Sequence, residues 1–559
     1  MRKQNYRKGA RDAEAPEEQG RARSTLCWRL GALAGALAVI LFSGCWEDDR
    51  PIAWTRDRTV LPPVAMKTKV AYVDSALDRV TFVDLSNDTP AIDARQIGRN
   101  AIASIPSPDR HTLFVITRGE EAISKGQIDQ PPMLWAVDPA DESAPPLGYA
   151  IGSPFDQLAV SPDNTLAVAY FSAAGPDSAG FFRNPNELAV IDLTQPPSDT
   201  NPALKTIRSF GAVPNGIVMT PPMTIAGAAD PTPRTFAFVL AENDLTVFDA
   251  THPERDDISI RLDAAGQSVT PREIVFAPAS ASAYVRSDNA SDILQVILEP
   301  LPPAMPDAND YLPQLAELGA GGGPTDIAVY DDPTGTRYVL AATPNTGQVV
   351  VIEADTAQFR TIAMPDPIDR IILFPQETAT ASPDKALFAS ITAKLPTLHV
   401  LDLGDIFDPL VEPAPRTITL DQPVRDVVPV PASTLAMVVH DDARTVLGML
   451  DMDGETTAPL LGVGELDDYA FTPTGSHLVG ATSGVSYIGF VELDDLHPTD
   501  LRLDTAPAGL YVTENDKILV DHGDDPFGHV TVIPSPAATR ADLTVLEGFL
   551  AANLLDKEP

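Results

Sequence analysis

Seven acidic or amide residues open strand-like apolar stretches along this chain: Asp156, Asn215, Glu273, Asp326, Asp369, Asp426 and Asp468, with Arg272, Arg370 and Arg425 interleaved. If the chain brings these openings to one axis, their oxygens form a cation-attracting funnel, because converging charge focuses the field. Hard cations such as Ca²⁺ take six to eight oxygen ligands, so a divalent ion is the cofactor such a funnel would hold. Equally, each residue can cap its own strand-to-strand turn. A second cluster, Asp521, His522, Asp524, Asp525 and His529, places two histidines among three acids, a donor set suited to a transition metal or to an exposed turn. Asp451-Met452-Asp453-Gly454-Glu455 opens like a calcium loop but lacks the later ligands and reads as turn chemistry. The last chemical candidate is Cys45, in Phe42-Ser43-Gly44-Cys45.

The elements that would position the seven openings recur. Short strand-like runs closed by an acid end at Asp84, Asp138, Asp192, Asp249, Glu299, Glu353, Asp402, Asp451 and Glu492, with a tenth at Pro534, about 50 residues apart. The clearest unit runs PTDIAVYDD, RYVLAATP, QVVVIEAD and FRTIAMP between 324 and 365, four strands separated by Gly, Pro, Asn and Asp. Units of this length and composition predict an all-β chain, a single β-propeller of four-stranded antiparallel blades. Ten units are counted, and eight to ten blades are expected. The first strand of each unit is nearly continuously apolar, which predicts burial on both faces. The first unit, from Lys69, has no evident inner strand before it, so a terminal segment is expected to complete a shared blade. Residues 301–315 read as a loop insertion and 546–555 as a short helix. The terminal acids read most simply as strand stops, and the Pro-Asp pairs as turns.

The repeat S/A-P-D-x-x-x-L-x-V followed by V-x-V-I-D resembles the YVTN-type propeller repeat, a relative of WD-repeat rings. Ser107-Pro108-Asp109 with Leu113 and Val115, Ser161-Pro162-Asp163 with Leu166 and Val168, and Tyr338-Val339 with Val349 to Glu353 carry it. The resemblance implies the ring fold and leaves the activity open, since many functions share it. Some propellers of this broad group open lactones at the axial mouth with a divalent cation. A lactonase-like hydrolase using Asp326, Asp369, Asp426 and Asn215 is therefore the alternative to a non-enzymatic binding scaffold.

Upstream, Leu30 to Phe42 is apolar, follows Arg21, Arg23 and Arg29, and is too short to span a bilayer. It reads as a secretory signal. With Cys45 it resembles the lipobox of bacterial lipoproteins, which implies a leader over 1–44, an acylated Cys45, a tether over 45–66 and the propeller over 67–555. Two or more acyl chains give stable anchoring. Trp46 after the cysteine favours, by analogy, the outer membrane, on its periplasmic face or the cell surface.

Of the 39 bases and 78 acids, eight bases and four acids lie in 1–44, leaving 31 against 74. That field repels phosphate backbones and excludes nucleic acid as a partner; an envelope protein or small ligand is expected instead. Cys27 and Cys45 are the two cysteines, so the processed chain has no disulfide. No C-x-x-C-H haem motif, Gly-rich phosphate loop or G-x-S-x-G elbow occurs. Cys45→Ser is expected to abolish acylation and leave the protein out of the membrane fraction. Intact-mass measurement and fractionation check this; an unchanged mass would refute it.

Overall fold

Strand residues alternate between two environments, and the alternation explains the sheets. The computed structural model describes residues 59–551 apart from 121–129, 173–183, 209–212, 263–267, 278–279, 303–307, 376–382, 409, 432, 442–446 and 461–465. The expectations for the leader, Cys45 and most of the tether fall outside the described residues. Within them lie ten four-stranded antiparallel sheets, each of strands consecutive in sequence. In blade 6, for instance, the inner strand Asp326–Asp331 pairs with Arg337–Thr343, then Gln348–Glu353, then the outer strand Phe359–Ala363.

Ten apolar clusters join the blades, one at every seam. They link blades 1 and 2, 2 and 3, 3 and 4, 4 and 5, 5 and 6, 6 and 7, 7 and 8, 8 and 9 and 9 and 10. The tenth joins the first blade to the last: Val70, Tyr72 and Val83 pack on Leu519, Val530 and Phe549. The Tyr72 and Phe549 rings meet edge to face at 5.2 Å. The chain is a closed ten-bladed β-propeller.

Burial falls on different strands from those the sequence suggests. Second and third strands are the most buried, completely so in Phe236–Ala241 and Asp244–Asp249, because each is sandwiched between neighbouring blades. The inner strands are only half-buried, as in Gln157–Val160 and Asp468–Phe471, because one face looks into the channel. Their continuous apolar character therefore signals a channel wall. Outer strands alternate, as in Arg416–Thr419.

Closure also departs from expectation. Blade 1 has its own inner strand, the two residues Val64–Ala65, inside the segment read as tether. Blade 10 runs from Gly509–Val512 through Ile518–Asp521 and His529–Ile533 to Thr544–Glu547. Among the described residues no blade borrows a strand from the opposite terminus. The closing seam is held by packing and by bonds: the Glu514 N–H donates to Lys67 O at 2.7 Å, Asn515 Nδ2 to Leu85 O at 2.9 Å and Lys517 Nζ to Asn87 O at 2.6 Å. The expected loop at 301–315 ends in a strand, Tyr311–Leu318, and the expected C-terminal helix begins as the strand Thr544–Glu547.

Side chains of outer and second strands clasp the third-to-outer turn of the next blade. Arg95 Nη1 donates to Asp138 O at 2.6 Å, Tyr149 Oη to Gln195 O at 3.0 Å, Lys205 Nζ to Arg255 O at 2.6 Å and Lys385 Nζ to Met452 O at 2.6 Å. Arg360 reaches Ile406 O and Asp408 O at 3.2 and 2.9 Å. Arg416 bridges Asp402 of its own blade and Glu455 of the next at 2.8 and 2.6 Å.

Phe388, fully buried in the seam between blades 6 and 7, tests this packing. Phe388→Ala is expected to cost about 3–5 kcal/mol through lost burial and the cavity left behind. A fall in the urea midpoint checks it; an unmoved midpoint would refute the seam assignment.

Candidate functional site

Of the seven sequence-selected openings, Asp156, Asn215, Asp326, Asp369 and Asp468 lie at the start of an inner strand or within one residue of it, whereas Asp426 is the third residue of Val424–Pro429 and Glu273 the fourth of Thr270–Phe276; their surroundings differ. Asp326 and Asp468 reach across seams: Asp326 Oδ2 accepts the Ile371 N–H of blade 7 at 2.7 Å, and Asp468 Oδ2 accepts the Leu510 N–H of blade 10 at 2.8 Å. Asp156 and Asp369 serve their own blades. Asp156 Oδ1 accepts the Ser172 N–H at 2.9 Å. Both Asp369 oxygens accept backbone N–H groups, from Ile391 at 2.7 Å and Thr392 at 2.6 Å. Glu273 accepts from Arg286 Nε at 2.9 Å across its strand pair. Asp426 bonds the Val427 N–H at 2.8 Å, and Asn215 is exposed.

Four inner strands carry a bulge at their start, and bulges re-aim side chains. Three of these extra residues are the exposed Asn215, Arg272 and Arg425; the fourth is Ile102. The rim is thus a mixture of acids and exposed arginines, with the acids drawn into turns and seams. Among the described residues no group of three or more His, Cys, Asp or Glu side chains is placed to hold a metal ion. Burial pushes the Asp326 carboxyl up to about 6, and the nearby Glu273 charge adds to this; the Ile371 N–H, Arg370 and Arg286 oppose it.

The histidine cluster is folded into blade 10. His522 Nδ1 faces Ala506 O at 3.1 Å and Nε2 faces Thr531 Oγ1 at 2.8 Å, so both ring nitrogens are occupied. His529 Nδ1 meets Asp524 at 2.8 Å, and the two imidazoles lie 4.3 Å apart. Burial pulls the His522 ring below the usual histidine range and raises the Asp521 carboxyl. The Asp525 carboxylate caps the Phe527 N–H at 2.9 Å. In the calcium-loop-like segment, Asp451 Oδ1 accepts the Asp453 N–H at 3.0 Å, and Glu455 belongs to the Arg416 clasp.

A buried ion-pair network between blades 4 and 5 has no counterpart among the sequence-selected site residues. Arg234, 1% exposed, donates from Nη1 to Asp249 at 3.0 Å and Asp310 at 2.7 Å, and Arg255 lies 3.3 Å from both carboxylates. Burial raises the Asp249 carboxyl despite the arginines. Open depressions also occur among the described residues, a small one of about 100 Å³ beside His440 and two larger ones. A cleft of about 560 Å³ lies between blades 3 and 4. A vestibule of about 490 Å³ opens on the channel among blades 8, 9, 10, 1 and 2. The two larger ones lie on the face that carries the inner-to-second-strand turns, opposite the seven openings.

No protein-family model matches the chain, and no curated protein matches it. Solved structures similar to it include dihydro-heme d1 dehydrogenase NirN in complex with DHE, 14% identical over 84% of this chain and 79% of that one, with a TM-score of 0.40. A second is a crystal structure of the eukaryotic initiation factor, 10% identical over 86% and 96%, with a TM-score of 0.43.

A carboxyl whose folded pKa is raised binds its proton more tightly in the folded state, so stability falls as pH rises from the unfolded value of 3.8 through about 6. Asp326→Asn removes this dependence. The variant is expected to gain on the wild type between those values, by roughly 2 kcal/mol once solvent screening of a partly exposed group is allowed for. Urea unfolding at pH 4 and pH 7 checks it, and an equal gap at both would refute it.

Proposed function

We propose that this protein is a lipid-anchored scaffold of the bacterial cell envelope whose ring binds a protein or small ligand without turning it over. The observation that carries the reading is the placement of the polar groups. The acids at the inner-strand openings bond backbone N–H groups of turns and neighbouring blades, while two open depressions remain on the opposite turn face. A rigid ring with preformed concavities suits recognition. The lipobox-like stretch ending at Cys45, with Trp46 after it, supports a tether to the outer membrane, and the acid excess supports partners other than nucleic acid.

A second reading, a lactonase-like hydrolase, rests on Asp326, whose carboxyl pushed up to about 6 is in the range of a general base. Assaying the wild type and Asp326→Asn against a panel of sugar lactones separates the two: turnover abolished in the variant favours the enzyme.

Chemical cross-linking of the full chain in native membranes tests the scaffold reading. The expected result is a saturable partner or ligand whose cross-links map to one turn face of the ring, lost when Cys45→Ser releases the protein. Lactone turnover, or no saturable cross-link, would overturn it.

A further inference from the structure

The vestibule on the channel combines two kinds of surface. Phe471 and Tyr511, partly buried on the inner strands of blades 9 and 10 and packed against the seams, line its walls, and Asp109, Arg110 and Glu514 stand exposed on its turns. Its volume of about 490 Å³ falls within the range of small-molecule sites.

Arg110 differs from its equivalents in other blades, although Lys394, Glu455 and Leu496 also hold the left-handed conformation in other turns. It occupies the left-handed position of the inner-to-second-strand turn, with φ 57°. At the equivalent turn position, defined by the same N–H to C=O bond three residues back, blades 3, 6, 9 and 10 have Asn164, Gly335, Gly475 and Asp516. Those residue types tolerate this conformation, whereas a long side chain there is strained. Strain of this kind persists where the surroundings or a function require it. Among the described residues the Arg110 guanidinium makes no hydrogen bond or ion pair. Beside it, Asp109 Oδ1 is anchored by Ser107 Oγ at 2.6 Å and the His111 N–H at 3.1 Å, and Glu514 lies 3.8 Å from Lys67 across the closing seam.

From this geometry we infer that the vestibule binds a neutral oligosaccharide, its sugar faces stacked on Phe471 and Tyr511 and its hydroxyls shared between Arg110, Asp109 and Glu514. The inference rests on the binding-scaffold reading above and names its ligand class. Flat apolar ring faces match the C–H faces of pyranose rings. A guanidinium donates to hydroxyl oxygens and carboxylates accept from hydroxyl protons, so the site offers both halves of the bonding a vicinal diol needs. A ligand of net charge would meet a like charge among Asp109, Glu514, Arg110 and Lys67.

Isothermal titration of the detergent-solubilised full chain with chitotetraose, cellotetraose, maltotetraose and the anionic tetragalacturonate tests the assignment. At least one neutral tetramer is expected to bind, and the anionic one to bind no better. Phe471→Ala and Arg110→Gly are each expected to weaken binding about tenfold. Arg110→Gly is also expected to leave the melting midpoint unlowered, because glycine is at ease in the left-handed turn; this keeps the test valid even if Phe471→Ala disturbs folding. Absence of binding by every neutral tetramer, tighter binding of the anionic one, or affinity unchanged in Arg110→Gly would overturn the assignment. If the membrane cross-linking still finds a partner, only the sugar site falls and the scaffold reading stands.

Discussion

The seam between neighbouring blades is the constraint on which the rest of this structure depends. A single four-stranded sheet of this size cannot bury its two faces; pressed between two others it can, and ten apolar clusters do this around the whole ring. The requirement dictates composition. Second and third strands must be apolar on both faces, inner strands on a channel wall, and outer strands on one side only.

Charge follows the same constraint. With 39 bases against 78 acids, cations are scarce, and several of those at the seams are placed where a long arm can close the gap to the next blade. Arg95, Lys205, Arg360, Lys385 and Arg416 act in this way, each on the next blade's third-to-outer turn. Buried ion pairs contribute little net stability once desolvation is counted, but losing one partner is costly. In the Arg234, Asp249 and Asp310 network between blades 4 and 5, loss of the arginine would leave two buried carboxylates facing each other across that seam. Arg110 stands apart, on a turn and outside any such pairing among the described residues.

The repeat and its fold were legible because strand-terminating acids such as Asp84 and Asp138 recur at blade length, and the structure shows why: each caps the turn that follows, Asp84 through the Ser86 N–H at 2.7 Å and Asp138 through the Ala140 N–H at 2.8 Å. The inner strand of blade 1 was illegible because two residues, Val64–Ala65, carry no pattern. Apolar composition points to full burial of the inner strands because a partly exposed channel wall and a sandwiched strand are both apolar. Composition alone does not show that Asp326 and Asp468 bond the next blade's backbone. The Arg234 network joins residues 76 apart, beyond the reach of any local pattern. The left-handed turn of Arg110 leaves no mark in the sequence except by comparison with Asn164 and Gly475 at the same place in other repeats.

Each blade is complete in itself, built of four successive strands, and the ring shuts by side-chain contact. Modules that are self-contained in this way can be duplicated or deleted whole, without orphaning a partner strand. The number of modules is then limited only by how much wedge-shaped curvature the remaining contacts can absorb. A gene built on this plan has a route to larger or smaller wheels, and to a different bore, that a wheel locked by a shared sheet lacks.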